Sequence, residues 1–433
     1  MENKIDKVEI EMTDNLDHLP CLSDVMPHLY QLLDYEIYSS IWLKNFPFCC
    51  VSKEAIDHIL PKDNKFEWEK NKKCRKCFWF EKCSGFPNGY FDKYGFNEIC
   101  PAEDLPEEIM IEVTPRCNFN CNFCFNKISF AKKGRKIEEF STEYVKKIIN
   151  GIIKSRIKII RFTGGEPLLR KDIFELLKYA KDRGLETRLN TNGSLIDLKT
   201  AKKFKGIVDN VLIPIESWTD AKESEVSGFR NALKKKIKAV KLLKEQEIQV
   251  VRAGTVATKE NILNFDKIAD LIFNLPLDEW ELYRPILIDK KTSLSPYLVN
   301  LLADKLINLR RKADKPVFIA NAIPFCSIKD LNKLNAVSRG ALYDDGCRRL
   351  VIDPRGFVKP HYFLDENIGD PLNILAAWEH SFMKKMRSLE FLPDACLNCR
   401  FKYKCRGGSR YEAKAVNNNY GALDPLAVPQ KEI

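Results

Sequence analysis

Six short apolar runs recur through the middle of the chain, at residues 109–114, 157–163, 185–191, 211–216, 248–256 and 279–285. Each is shorter than an ordinary helix and reads as a buried strand. Helical patterns lie between them. Ile173, Leu176, Leu177 and Ala180 share one helix face, and Gly184 stops that helix. Ala232 to Leu243 and Ile262 to Phe273 are of the same kind. Strands alternating with helices predict a parallel sheet, and six such units predict a full or partial barrel with its chemistry at the C-terminal strand ends. Pro214 weakens the fourth run as a strand, because proline cannot donate to a ladder.

The strand ends carry that chemistry. Directly after the first run comes Cys117-Asn118-Phe119-Asn120-Cys121-Asn122-Phe123-Cys124, three thiols in one loop. Three thiolates cannot close a four-ligand tetrahedral zinc site. They can hold three irons of a [4Fe–4S] cluster and leave the fourth open. Three structural thiols, or part of a zinc site, is the competing reading. The second strand ends in Thr163-Gly164-Gly165-Glu166-Pro167. Two glycines let backbone approach a ligand closely, and the carboxylate and carbonyls can accept hydrogen bonds from an ammonium group. The third ends in Asn190-Thr191-Asn192-Gly193-Ser194, the fourth in Glu216-Ser217.

In this order, the C-x3-C-x2-C loop, the Gly-Gly-Glu-Pro turn and the Thr-Asn-Gly turn resemble the radical S-adenosylmethionine (radical SAM) enzymes. The resemblance implies an α/β fold, a partial (β/α)6 TIM-like barrel. It implies a [4Fe–4S] cluster on Cys117, Cys121 and Cys124, whose open iron binds the amino and carboxylate groups of SAM. It assigns Gly164, Gly165, Glu166 and Pro167 to the SAM amino group, and Asn190, Asn192, Glu216 and Ser217 to the neighbourhood of the ribose. Phe123 falls where the family sets an aromatic against the adenine, with Val256 and Asn261 in a further adenine-side pattern. Arg252 is the candidate for the SAM carboxylate, with Arg161 and Arg188 competing.

Cysteine-rich segments flank the barrel. Upstream lie Cys49, Cys50, Cys74, Cys77, Cys83 and Cys100. Cys74, Cys77, Cys83 and Cys100 form a candidate cluster set, with Cys49 or Cys50 as substitutes for Cys100 and zinc as the competing metal. Downstream, Cys347-x8-Gly356-x4-His361 and Cys396-x2-Cys399-x5-Cys405 resemble the SPASM extension of radical SAM enzymes, which carries auxiliary [4Fe–4S] clusters. That pattern has cysteines where this chain has His361, Ser409 and Ala427, so one auxiliary cluster is expected to be missing. The other keeps Cys396, Cys399 and Cys405, with Cys347 or His361 as fourth ligand, or an open iron. Cys326 reads as isolated and structural. The unit at Cys74, Cys77 and Cys83 also echoes the one at Cys396, Cys399 and Cys405. The expected division is therefore an iron–sulfur module over 1–105, a radical SAM barrel over 106–290 and a SPASM-like domain over 291–433. Residues 29–42 and 291–345 read as helical.

Fifteen cysteines, no apolar stretch long enough to span a membrane and no signal pattern at the N-terminus predict a cytoplasmic metalloprotein. The net charge of +11 reads as solvated helix faces, and neither a nucleic-acid nor a membrane partner is expected. The resemblance implies SAM cleavage to a 5′-deoxyadenosyl radical that takes hydrogen from a peptide or protein, with an external donor such as ferredoxin or flavodoxin. The alternatives are maturation of a small-molecule cofactor such as a tetrapyrrole, or an electron carrier without SAM chemistry.

Overall fold

The computed structural model describes residues 7–34, 40–51, 59–60, 68–77, 79–80, 83–99, 104–124, 138–285, 294–341, 343–344 and 346–429. Cys100 lies outside the described residues. The chain divides into two compact units, residues 1–104 with 332–336, and residues 105–331 with 337–433.

In the first unit, β1 (Lys7–Glu11) pairs in parallel with β2 (Ser40–Lys44). The helix expected over 29–42 runs instead from Leu22 to Asp34, and the residues after it form β2. Ile41, Trp42 and Leu43 are consecutive and all buried, which suits a strand covered on both faces and not a one-sided helix. The core of this unit gathers Leu22, Leu43, Phe86 and Tyr90, with Cys49, Cys50, Cys74 and Cys83 packed against it.

The second unit is built on a nine-stranded sheet. The six expected strands are β3 (Glu108–Glu112), β4 (Ile159–Thr163), β5 (Glu186–Asn190), β6 (Asn210–Pro214), β7 (Val250–Val256) and β8 (Glu279–Tyr283). They lie side by side in sequence order, every pair parallel. Helices intervene, among them Thr142–Lys154, Ile173–Lys181, Leu198–Phe204 and Ala232–Glu245. This is the parallel (β/α)6 arrangement expected of a partial barrel. Pro214 is tolerated because it is the last residue of β6. The helix expected over 262–273 is two, Lys259–Leu263 and Phe265–Phe273, separated at Asn264.

Three more strands come from the region after the barrel. β9 (Val317–Ile319) pairs with β8. β10 (Arg349–Ile352) pairs in parallel with β3 on the opposite edge, and β11 (Val358–Lys359) closes a hairpin on β10. So 291–345 is helical only in part. Pro296–Arg310 is a helix, whereas the buried Val317-Phe318-Ile319 is a three-residue strand too short to register as a periodic signal. No helix among the described residues is long and apolar enough to cross a membrane.

Candidate active site

A cavity of about 1010 Å³ opens at the C-terminal ends of the barrel strands. Cys117, Cys121 and Cys124 line it, together with Phe123. So do Gly164 and Gly165, Asn190 and Asn192, Glu216 and Ser217, and Arg252. Thus each strand end singled out in the sequence contributes to one space.

The cysteine loop is fixed by its neighbours. Gly165 N–H donates to the Thr114 carbonyl at 2.8 Å, and Glu166 N–H to that of Arg116, also at 2.8 Å. The two chains pass so close that a Cβ on Gly164 would stand 2.4 Å from the Thr114 oxygen, with φ at +140°. No other residue meets both demands. The Gly-Gly turn therefore sets the height at which the chain enters Cys117. On the next strand end, Asn192 Nδ2 donates to Asn118 Oδ1 at 2.9 Å, and Asn118 Nδ2 donates to Ser194 Oγ at 2.9 Å. Beyond Cys117, Asn120 and Asn122 N–H groups donate to the Ser227 and Val226 carbonyls, and Phe119 stacks on Phe229 at 4.5 Å.

Glu166 is engaged within the protein. Its carboxylate is buried and accepts from Leu168 N–H (3.0 Å), Thr191 Oγ1–H (2.7 Å) and Asn192 N–H (2.7 Å). It braces the second strand end to the third. Burial pushes its pKa up to about 6 against those hydrogen bonds. Pro167 opens the short turn that follows.

Glu216 is held by Val256 N–H, which donates to its Oε2 at 2.8 Å, and Asn261 Nδ2 donates to the Glu216 and Val256 carbonyls. Burial, then the neighbouring Glu223, pushes Glu216 up to about 8. Glu223 itself pairs with the buried Lys236. Ser217 Oγ is buried and has no partner among the described residues. An unpaired buried hydroxyl on the wall of a cavity suits a ligand hydroxyl.

The arginines are more committed than expected. Arg252 pairs with Glu281 and donates to Asn210 Oδ1 at 2.8 Å. Arg161 pairs with Glu108 at 2.7 Å and donates to Asn190 Oδ1 at 3.0 Å. Burial opposes ionisation of Glu108, but Arg161, Arg349 and Arg188 outweigh it and hold that carboxyl well below its ordinary range.

A parallel barrel thus brings three thiols and a Gly-Gly turn to one cavity at its strand ends. Residues 111–272 match the Radical SAM superfamily, so this stretch of the chain is a radical SAM domain. The chain is 24% identical over 337 residues to the PqqA peptide cyclase of Bradyrhizobium diazoefficiens, covering 74% of this chain and 86% of that one. It is 26% identical to the AdoMet-dependent heme synthase of Nitratidesulfovibrio vulgaris, covering 73% and 90%. In fold it is similar to Streptococcus suis SuiB bound to its precursor peptide SuiA, at TM-score 0.57 and 16% identity over 75% of this chain and 76% of that one. It is also similar to anSMEcpe with bound AdoMet and the Cp18Cys peptide, at TM-score 0.55 and 18% identity over 74% and 93%.

Most of the remaining described cysteines form two neighbourhoods. In the second unit, Cys396 and Cys405 are buried and Cys399 is half-buried. Cys326 is not isolated as the sequence suggested. Burial first, then Cys326 and Cys399, pushes Cys396 up to about 11, and burial followed by the same neighbours raises Cys405. His361, a candidate fourth ligand, is turned elsewhere. It lines the central cavity and its Nε2 lies 2.9 Å from Asp344 Oδ1. Cys347 follows Gly346, which packs against Met383. In the first unit, burial and then Cys49, among other neighbours, raises both Cys74 and Cys83. Cys77 is half-buried two residues before Trp79. Among the described residues no three His, Cys, Asp or Glu side chains converge on a point that one bare ion could fill. A cubane presents its irons at separate corners, so its ligands need not converge on one point.

Proposed function

We propose that this enzyme cleaves SAM reductively and uses the 5′-deoxyadenosyl radical to abstract hydrogen from a peptide or protein substrate. The observation that carries the reading is the sharing of one cavity by Cys117, Cys121 and Cys124, the Gly164–Gly165 backbone and the unpartnered Ser217 hydroxyl. The donor chemistry fits: three thiolates for three irons, backbone carbonyls for an ammonium group, a free hydroxyl for a ribose. When bound, the cluster and SAM supply the radical chemistry that acid–base side chains cannot. The chain's own residues hold and aim. Glu166 locks two strand ends together, Asn192 and Asn118 steady the cysteine loop, and the cavity walls exclude water from a reactive carbon radical.

Peptides are favoured because the PqqA cyclase acts on one by name and SuiB was solved with one. A second reading is a small molecule bearing carboxylates. Arg339 lines the same cavity, is partly exposed and sits 3.7 Å from both Glu279 and Glu281, a loose pairing that a ligand carboxylate could replace. The heme synthase relative is of that kind. On either reading the cysteine modules relay electrons, and a ferredoxin or flavodoxin supplies them in the cytoplasm.

The test is formation of 5′-deoxyadenosine by the anaerobically reconstituted, reduced protein. Absence of that product from a protein that holds its iron would remove the proposal. Deuterium transfer into 5′-deoxyadenosine from labelled peptides, against labelled tetrapyrroles, separates the two substrate classes.

A further inference from the structure

The two C-x2-C-x5-C units are built alike, and the likeness extends to a turn far from each in sequence. Pro47-Phe48-Cys49 and Pro324-Phe325-Cys326 open two 3-10 turns, Phe48–Cys50 and Phe325–Ser327. The capping prolines have φ −65° and ψ 129° in one, φ −69° and ψ 128° in the other. Cys50 N–H donates to the Pro47 carbonyl at 3.1 Å, and Ser327 N–H to that of Pro324 at 3.0 Å. A buried β-branched residue follows each turn, Val51 in one and Ile328 in the other.

Each turn docks on its unit in the same way. Phe48 stacks on Trp79 at 4.8 Å, and Phe325 meets Phe401 edge-on at 5.5 Å. Trp79 and Phe401 hold one position, second after the middle cysteine. Inside the units, Cys77 N–H donates to Cys74 O at 2.8 Å and Cys399 N–H to Cys396 O at 3.1 Å. Cys83 N–H donates to Trp79 O, and Cys405 N–H to Phe401 O, both at 2.8 Å. The last cysteine of each unit accepts an N–H from the turn: Cys405 Sγ from Phe325 at 3.4 Å, and Cys83 from Phe48. Such N–H···S bonds are usual around iron-bound thiolates.

Resting on the reading of both modules as iron–sulfur sites, we infer that Cys49 and Cys326 are their fourth ligands. One cluster is then held by Cys49, Cys74, Cys77 and Cys83, and the other by Cys326, Cys396, Cys399 and Cys405. Cys326 also accepts the Val428 N–H, so it stands beside Ala427, the position from which the SPASM pattern has lost its cysteine. The Pro-Phe-Cys turn replaces that ligand from another part of the chain. A cluster with four protein thiolates has no vacant iron. Both modules therefore pass electrons and do not bind substrate.

The experiment uses the full chain carrying Cys117→Ala, Cys121→Ala and Cys124→Ala, reconstituted anaerobically, so that only the auxiliary clusters contribute. Iron and sulfide are counted, and EPR spectra are taken after reduction. The parent is expected to hold about eight irons, two clusters' worth. Adding Cys326→Ala or Cys49→Ala should remove about four irons or leave a three-iron species with its own EPR signal. Cys347→Ala and Cys100→Ala should change neither. Cys326→Ser keeps the side-chain size and should alter the EPR spectrum. Ala427→Cys added to Cys326→Ala should return the iron, which a misfolded tail could not do. An unaltered count and spectrum in Cys326→Ala and Cys326→Ser, with iron lost in Cys399→Ala, would overturn the ligand assignment alone. Unaltered iron in Cys399→Ala as well, or zinc in its place, would overturn the cluster reading together with it.

Discussion

Gly165 passes so close to Arg116 that a Cβ added to it would stand 2.2 Å from the Arg116 carbonyl oxygen. The contact joins the turn that would take the SAM ammonium to the residue before the first cluster cysteine. Gly165→Ala must push the two apart. A displacement of about 1 Å at a reacting centre costs on the order of 100-fold in rate. Formation of 5′-deoxyadenosine should fall by about that factor while iron content holds. Unchanged turnover would show that this contact does not set the geometry.

Cys121→Ala removes one of three cluster ligands and should abolish SAM cleavage, with loss of about four irons from the full-length protein. Iron counting alongside the 5′-deoxyadenosine assay checks both. Iron loss without loss of cleavage would place SAM at another cluster.

Ser217→Ala should move two measurements in opposite directions. Removing a buried hydroxyl that lacks a partner relieves a cost of about 1 kcal/mol in the empty protein, so the melting temperature rises. The same change deletes a hydrogen bond to the ligand, so SAM affinity falls by about 5- to 10-fold. Equilibrium dialysis and thermal melts report the two, and a lower melting point would mean the hydroxyl is already satisfied.

Glu108→Gln removes the buried carboxylate that Arg161, Arg188 and Arg349 share. Breaking a buried pair in this way costs about 3–5 kcal/mol, readable in urea denaturation of the unloaded protein. A change under about 1 kcal/mol would mean that water reaches the barrel floor.

Glu216 gives the pH dependence. Its pKa rises on folding from 4.5 to about 8, so the folded protein holds that proton more tightly than the unfolded chain. Its contribution to stability is complete below 4.5 and is lost as pH climbs through about 8. Glu216→Gln should therefore match the parent near and below pH 4.5, become progressively more stable than it up to about pH 8, and keep a constant advantage above that. A melting-temperature difference that stays flat across that window would contradict the shift.

The six barrel strands were legible because buried parallel strands leave continuous apolar runs, and the loop chemistry was legible because it sits where those runs stop. Less visible was what a side chain does once its neighbours are known. Glu166 reads as an acceptor for ligand, yet three internal donors already occupy its carboxylate. Arg252 reads as a free cation, and Glu281 takes it. Cys326 reads as solitary because sequence distance hides its approach to Cys405, although the repeated Pro-Phe-Cys tripeptide was there to be matched. β9 and β10 carry too few residues for periodicity to speak.

β10 comes late in the chain but lies against β3, the strand that leads into the cysteine loop. Glu107 N–H donates to the Arg348 carbonyl at 2.7 Å, and Arg349 reaches across to Glu108 at 3.4 Å. Arg284, at the far end of the barrel, is clamped by Asp424. The catalytic half is thus finished only when the last quarter of the polypeptide has left the ribosome. A gene truncated before residue 348 would yield a sheet with a raw edge at β3, beside the cysteine loop. Trimming the tail to make a minimal enzyme is a strategy this architecture forbids.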